Sequence, residues 1–210
     1  MTEAKKLPAI ADIEINPQTL KMLMQTPTIP ARYKESPTGA NDMLAVSMWG
    51  RELGVGFFTS IYELYLVNGQ ASMQGKLMLG LVWRAGHKIT VSIEETKSII
   101  HCWRREDGVL EHMGDIEFTV EDANRAGLME KGTYQQYPKS MLTWRAVSLA
   151  ARIYYPDVIL GIGYIPEELN IDAPVEPVPE GIVVTDNGEL EMERALMVAE
   201  EVLEAVVVDE

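Results

Sequence analysis

The sequence predicts an α+β fold: a three-stranded antiparallel β-meander packed with helices, followed by an acidic C-terminal tail helix. Three observations predict it. Residues 88–119 change to period-two patterning around an Asp107-Gly108 pair, the signature of a hairpin turn. On both sides, apolar residues recur at helical spacing. After Gly161 the composition turns proline-rich and acidic.

In chain order, "NPQTLKMLMQT" predicts a short helix with Asn16 as cap and Pro17 in its first turn. Pro27, Pro30 and Pro37 then predict an extended connection, so residues 1–40 read as an N-terminal arm. A helix is expected over 40–53, with Met43, Val46 or Ser47, and Gly50 on one side. Leu44, Met48 and Leu53 widen its apolar stripe, and Gly54 and Gly56 end it. "FFTSIYEL" reads as a short helical turn. "LYLVNGQAS" is a strand running into an Asn68-Gly69 turn, and "MQGKLMLGLVWRAG" returns to helical spacing with Gly86 as C-cap.

"HKITVSIEE" alternates Ile89, Val91 and Ile93 with polar residues and is a strand. If Asp107-Gly108 is the next turn, Glu106 faces Val109, Arg104 faces Glu111 and Trp103 faces His112, an opposed charge pair supporting that register. Thr119 caps a short helix with Glu121 and Asp122 in its first turn. "MEKGTYQQYPKS" reads as a loop. A long helix over 139–155 ends at Pro156. The core is thus bounded at 41–165, with a Pro-rich acidic linker over 166–186. In the last segment, 187–210, Met192, Leu196, Ala199, Leu203 and Val206 form one face of an acidic amphipathic helix, a pattern that fits a docking element.

Charge is distributed unevenly. The chain's 210 residues carry a formal net charge of −14, yet residues 1–160 hold 17 basic against 18 acidic side chains. Residues 161–210 hold one arginine against 14 acids. A near-neutral body therefore carries an acidic tail. Two windows of the body are free of Asp and Glu: 64–93, with Lys76, Arg84 and Lys88, and 131–156, with Lys131, Lys139, Arg145 and Arg152. Packed side by side, they would form a basic face.

Signals for bond-making chemistry are absent. No G-x-x-x-x-G-K-[ST] or G-x-S-x-G motif occurs, and "GVGFF" and "GIGYI" read as loop glycines. Glu94-Glu95 and Glu121-Asp122 are carboxylate pairs that could hold Mg²⁺ for a nuclease, although the second already serves a helix start. A single cysteine, Cys102, excludes an internal disulfide and a thiolate-rich zinc site. His101 and His112 can approach one another on the hairpin, but two further zinc ligands at suitable spacing are not evident, so no metal is expected. No apolar run approaches the roughly 20 residues of a membrane helix, and no secretion signal is visible. A cytoplasmic protein is expected.

At 100° per residue, Leu142, Ala146, Leu149 and Ile153 form the apolar stripe of the long helix, expected to face the core. Met141, Arg145, Ser148 and Arg152 form a second stripe, which places the two arginines about 10 Å apart along the axis. Lys139 stands at the N-terminal end, where free backbone N–H groups favour an anion. Small Ser148 would admit a backbone between the arginines, and Tyr134, Tyr137, Trp144, Tyr154 and Tyr155 supply aromatic faces. Cations with aromatics can hold single-stranded nucleic acid. Equally, the arginines can pair with the body's carboxylates while the aromatics fill the core.

Two long stretches carry a resemblance. "LAVSMWGRELGVGFFTSIYELYLVNGQASMQGKLMLGLVWRAGH" and "FTVEDANRAGLMEKGTYQQYPKSMLTWRAVSLAARIYYPDVILGIGYIPEEL" resemble the RecT-type single-strand annealing proteins of bacteriophages, the RecT/Redβ superfamily. The family pattern is an "IY-x-(I/V)-NG" turn, at whose first position this chain carries Leu64, an "LML-x-LV" helix and an "FT-x-x-DA-x-x-AGL…YP…ML-x-x-RA-x-S-x-AAR…PDV" run, covering most of 43–169. The resemblance implies a RecT/Redβ-like annealing core that oligomerises into rings or helical filaments. It implies binding of single-stranded DNA and ATP-independent annealing of complementary strands in phage homologous recombination. Such a recombinase makes no bonds, is not an enzyme, and needs no cofactor, Mg²⁺ serving at most as a DNA counterion. Carried over by position, the DNA-binding candidates are Lys139, Arg145, Ser148 and Arg152, with Arg84, Lys131, Lys76, Tyr134 and Trp144 as flanking candidates. Implied partners are single-stranded DNA, the annealed duplex, further copies of the chain and, through the tail, a host single-strand-binding protein or phage exonuclease. The chain departs from the family pattern at Trp83, where many relatives carry a basic residue, at "GVGFF", and in its short, very acidic tail. The alternative reading is an oligomeric scaffold or assembly protein without DNA affinity.

Overall fold

The computed structural model describes residues 17–169 except Asn68. The Asn16 cap, the turn residue Asn68, the remainder of the linker and the 187–210 helix expected above lie outside the described residues.

Helices alternate with two separate antiparallel sheets. Helix α1 (Pro17–Met24) leads through turns into α2 (Ala31–Lys34), α3 (Gly39–Glu52) and α4 (Phe57–Glu63). Strands β1 (Leu64–Val67) and β2 (Gln70–Met73) form a hairpin, and α5 (Gly75–Arg84) follows. The meander is β3 (Lys88–Ile93), β4 (Lys97–Glu106) and β5 (Val109–Thr119), ordered β3-β4-β5. Helices α6 (Val120–Arg125), α7 (Gly132–Gln136) and α8 (Pro138–Tyr154) complete the body, and a 3₁₀ turn spans Pro166–Leu169.

The meander follows from its local chemistry. Asp107 and Gly108 both have positive φ, 48° and 85°, the geometry of a two-residue type I′ turn. This sets Glu106 opposite Val109, Arg104 opposite Glu111 and Trp103 opposite His112. The Arg104 guanidinium nevertheless turns to Asp157, with hydrogen bonds of 2.8 and 3.0 Å, and donates to the Tyr154 carbonyl at the end of α8. Along β4, Ser98, Ile100 and Cys102 are buried against α8, while Ile99, His101 and Trp103 lie on the outer face. A buried hydroxyl pair, Ser98 Oγ and Thr143 Oγ1 at 2.7 Å, joins sheet to helix. Thr119 caps α6 in a reciprocal capping box with Asp122.

Several expectations need correction. The connection holding Pro30 and Pro37 contains α2, because Pro30 suits a helix start and Tyr33 anchors the turn in the core. The "ASM" stretch pairs with β1 although it lacks β-branched residues. The loop before Tyr137 contains α7, held by buried Tyr134. In α3 the buried face is Gly39, Met43, Val46, Ser47 and Gly50, whereas Leu44 and Met48 point outward, Met48 being 60% exposed. Gly50 is needed there: a Cβ would fall on Ser60 Oγ of α4. In α8, Leu142 and Ala146 are buried but Ile153 is 58% exposed.

The reason for the last difference is that α8 is covered on two sides. Helix α8 packs on β4 and β5, with Thr143 bonded to Ser98. The chain after Pro156 returns over the helix, Ser148 Oγ donating to the Gly163 carbonyl and Ile159, Ile162 and Ile165 buried in the same core as Leu142, Ala146 and Ala150. Met141 and Ser148, on the second stripe, are buried as well.

Candidate nucleic-acid interface

The acid-free windows do adjoin one another. Helix α5 packs on α8 through Gly75, where a Cβ would lie 3.0 Å from Trp144 Cε3 and 3.4 Å from its Cα. Trp144 is half-buried at this junction, and Tyr134 is fully buried beneath α8.

Arg145, Ser148 and Arg152 converge on a single carboxylate, that of Glu168 in the 3₁₀ turn. Arg145 Nη1 and Arg152 Nη2 both meet Glu168 Oε1, the latter at 3.1 Å. The Ile165 backbone N–H donates to Oε2 at 2.9 Å. Ser148 Oγ, wholly buried, lies 3.2 Å from Oε2 and donates to the Gly163 carbonyl at 2.8 Å. Only 7% of the Glu168 side chain is exposed. Arg145 also faces the Phe118 ring at 5.8 Å and Arg152 the Tyr164 ring at 5.1 Å. The result is an anion site in which two guanidiniums and a backbone N–H meet the chain's own acid, with the Ser148 hydroxyl beside it and able to turn its one proton from the Gly163 carbonyl to the anion.

Gly163 makes this closure possible. A Cβ there would fall 2.3 Å from Arg152 Cγ and 2.6 Å from its Cδ, so the returning chain can lie on the arginine stem only at glycine. "GIGYI" is thus a packing motif as well as a loop. Glu168, Gly163 and Ile165 are the site residues that sequence reasoning missed. Their only signal is an acid-rich stretch, which does not reveal which acid returns to the helix.

The flanking candidates are also engaged. Lys139 Nζ bonds Glu95 Oε1 at 2.5 Å on the surface. Lys76 pairs with Glu63 at 3.1 Å. Arg84 donates to the Gly54 carbonyl at 2.8 Å and to that of Leu53, closing the C-terminal end of α3. Lys131 is half-buried at the start of α7. Arg32, which the sequence did not single out, does for α4 what Arg84 does for α3. It meets the Ile61, Tyr62 and Leu64 carbonyls and lies 3.9 Å over the Tyr65 ring.

Of the carboxylate pairs, Asp122 is committed to its cap. Hydrogen bonds from the Thr119 backbone and hydroxyl hold its carboxyl below the usual range. Glu94 and Glu95 lie between β3 and β4, where each meets a lysine, Lys97 and Lys139 respectively. Among the described residues, no helix is long and apolar enough to cross a membrane.

No family model matches this chain, and no curated protein or solved structure matches it either.

Proposed function

We propose that this chain binds single-stranded DNA and anneals complementary strands without ATP, with Arg145, Ser148 and Arg152 as its phosphate-binding residues. The observation that carries the reading is the convergence of these three residues and the Ile165 N–H on one carboxylate. The same donors suit a phosphodiester, because guanidinium, hydroxyl and backbone N–H groups are the usual phosphate ligands. The motif resemblance to RecT-type annealing proteins rests on the same helix and supports the same reading.

Binding on this reading is an exchange. A DNA phosphate takes the place of the Glu168 carboxylate, and the Pro166–Leu169 turn lifts from α8. Lys139, Lys131 and Lys76 are the groove's flanking cations on this reading, while Arg84 stays on the Leu53 and Gly54 carbonyls, Tyr134 stays in the core and Trp144 sits half-buried beside Gly75. Neutralised phosphates leave the Watson–Crick edges free, and duplex stacking, about 1.4 kcal/mol per step, drives pairing with a second strand. Subunits side by side, in a ring or helical filament, extend the groove, and the acidic tail offers a docking element for a host single-strand-binding protein or phage exonuclease. Mg²⁺ serves only as a counterion.

A fluorescence annealing assay with complementary oligonucleotides, with and without ATP and Mg²⁺, tests this. Annealing that needs neither is expected. Absence of DNA binding at low salt would favour the scaffold reading, and Mg²⁺-dependent loss of labelled DNA would favour a nuclease.

A further inference from the structure

On the face of the meander away from α8, a β-bulge assembles three side chains that a regular ladder would separate. Residues 112 and 115 are an odd number apart, so on an unbroken strand they would point to opposite faces. The register shifts between Cys102 and Trp103: Cys102 pairs with Gly114 but Trp103 with His112, so Met113 is the extra residue. His112 thereby joins Asp115 and its cross-strand partner His101 on one face. Gly114 at the bulge has φ of 139°, and a Cβ there would lie 2.5 Å from Tyr154 Oη. Backbone geometry and packing therefore both favour glycine at the position that sets the bulge.

We propose that His101 Nδ1, His112 Nε2 and Asp115 Oδ1 form a binding site for a zinc-class divalent ion. The three ligand atoms already lie within 4.8 Å of one another, with Asp115 Oδ1 2.9 Å from each imidazole nitrogen. Tetrahedral zinc with bonds of about 2.0–2.1 Å holds neighbouring ligand atoms roughly 3.3 Å apart, so small side-chain rotations suffice. Two imidazoles and one carboxylate select a borderline ion such as Zn²⁺ over Mg²⁺, and three protein ligands leave the fourth position to water.

The surroundings fit the role. A ligating imidazole gives up the proton on its bound nitrogen and, when neutral, carries it on the other. At His101 that other nitrogen is Nε2, 3.2 Å from Ser92 Oγ, whose hydroxyl can turn to accept it. Trp103 flanks both rings, with centroids 6.1 Å from His101 and 5.0 Å from His112. His112 and Asp115 are exposed, so an ion enters directly from solvent.

The test uses the full chain stripped of metal, titrated with Co²⁺ by visible absorption and with Zn²⁺ by calorimetry. Expected are the intense visible bands of four-coordinate cobalt, displaced by Zn²⁺ but not by Mg²⁺. His112→Ala and Asp115→Asn should each weaken binding at least about 10-fold, and Ser92→Ala, at a positioning residue, by about 10-fold. His87→Ala should leave it unchanged. Only the weak bands of six-coordinate cobalt, as carboxylates of the acidic tail would give, overturn the proposal. So does Zn²⁺ binding that His112→Ala leaves intact.

Discussion

Arg152 Nη2 and Glu168 Oε1 stand 3.1 Å apart although 16 residues separate them in the chain. Their contact closes the returning C-terminal segment onto α8, and the same carboxylate serves Arg145, Ser148 and the Ile165 N–H. Glu168→Ala would leave two half-buried guanidiniums facing an empty position. Charge-assisted hydrogen bonds of this kind contribute roughly 1.5–3 kcal/mol, and partial exposure places the expected loss near the lower figure. Glu168→Gln keeps the shape and part of the bonding, so it should cost less. Denaturant unfolding checks both. An unchanged midpoint for Glu168→Ala would show that the closure does not stabilise the fold.

The same substitutions act in the opposite direction on DNA. With the competing carboxylate neutralised, Glu168→Gln should bind a single-stranded oligonucleotide more tightly than the native chain, measured by fluorescence anisotropy at fixed salt. Weaker or equal binding would count against an exchange between Glu168 and phosphate.

Arg84 and Arg32 act as terminators of helices. Each donates to carbonyls at the C-terminal end of a helix, where backbone acceptors run out of intrahelical partners. Arg84→Ala and Arg32→Ala are each expected to lower stability by about 1–3 kcal/mol. Arg125→Ala, at an exposed ion pair, should fall within about 0.5 kcal/mol of the native chain. Thermal or chemical melts separate the two groups. An Arg84→Ala protein as stable as Arg125→Ala would mean that the helix end needs no side-chain cap.

Much of the fold was legible in the sequence where the signal is local. Asp107-Gly108 fixes its own turn and therefore the whole β4–β5 register down to Trp103 and His112. Thr119 ahead of Glu121 and Asp122 marks a helix start, and the structure adds the reciprocal bond from Asp122. Beyond that point the pattern breaks, because a bulge is one residue inserted at Met113 and no local spacing marks it. The long-range pairings were less visible still. Helical spacing places Arg145, Ser148 and Arg152 on one stripe, but whether solvent or chain covers that stripe depends on Gly163 and Glu168, beyond the helix. Tyr33 and Tyr134 show the same limit: each anchors a helix of four or five residues through tertiary burial, where propensity alone carries little weight.

Asp157 gives the body an acid-sensitive contact. The Arg104 hydrogen bonds, opposed by partial burial, hold its carboxyl below the ordinary value. A depressed carboxyl stabilises the fold above its unfolded pKa of about 3.9 and loses that contribution as pH falls through the folded value. The stability difference between the native chain and Asp157→Asn should therefore be largest near neutrality and shrink below about pH 4. Melting curves across pH test this. A difference independent of pH would exclude the Arg104–Asp157 linkage.

Cys102 should be chemically silent in the folded chain. It is fully buried, and burial pushes its thiol up to about 12, so little thiolate exists at neutral pH. A thiol reagent should label it only after denaturant is added. Rapid labelling of the native protein would show that the sheet face under α8 opens readily.

The central claim is that the α8 stripe contacts DNA phosphates, and salt dependence tests it most directly. Each phosphate contact on a single strand contributes about 0.7 to the slope of log affinity against log salt. Arg145→Gln with Arg152→Gln keeps side chains that can still donate to Glu168 while removing both charges. Provided its melting curve shows a folded chain, its slope should be shallower than the native one by about 1.4 for the two contacts, with weaker binding at every salt concentration. A slope equal to that of the native chain would contradict the assignment.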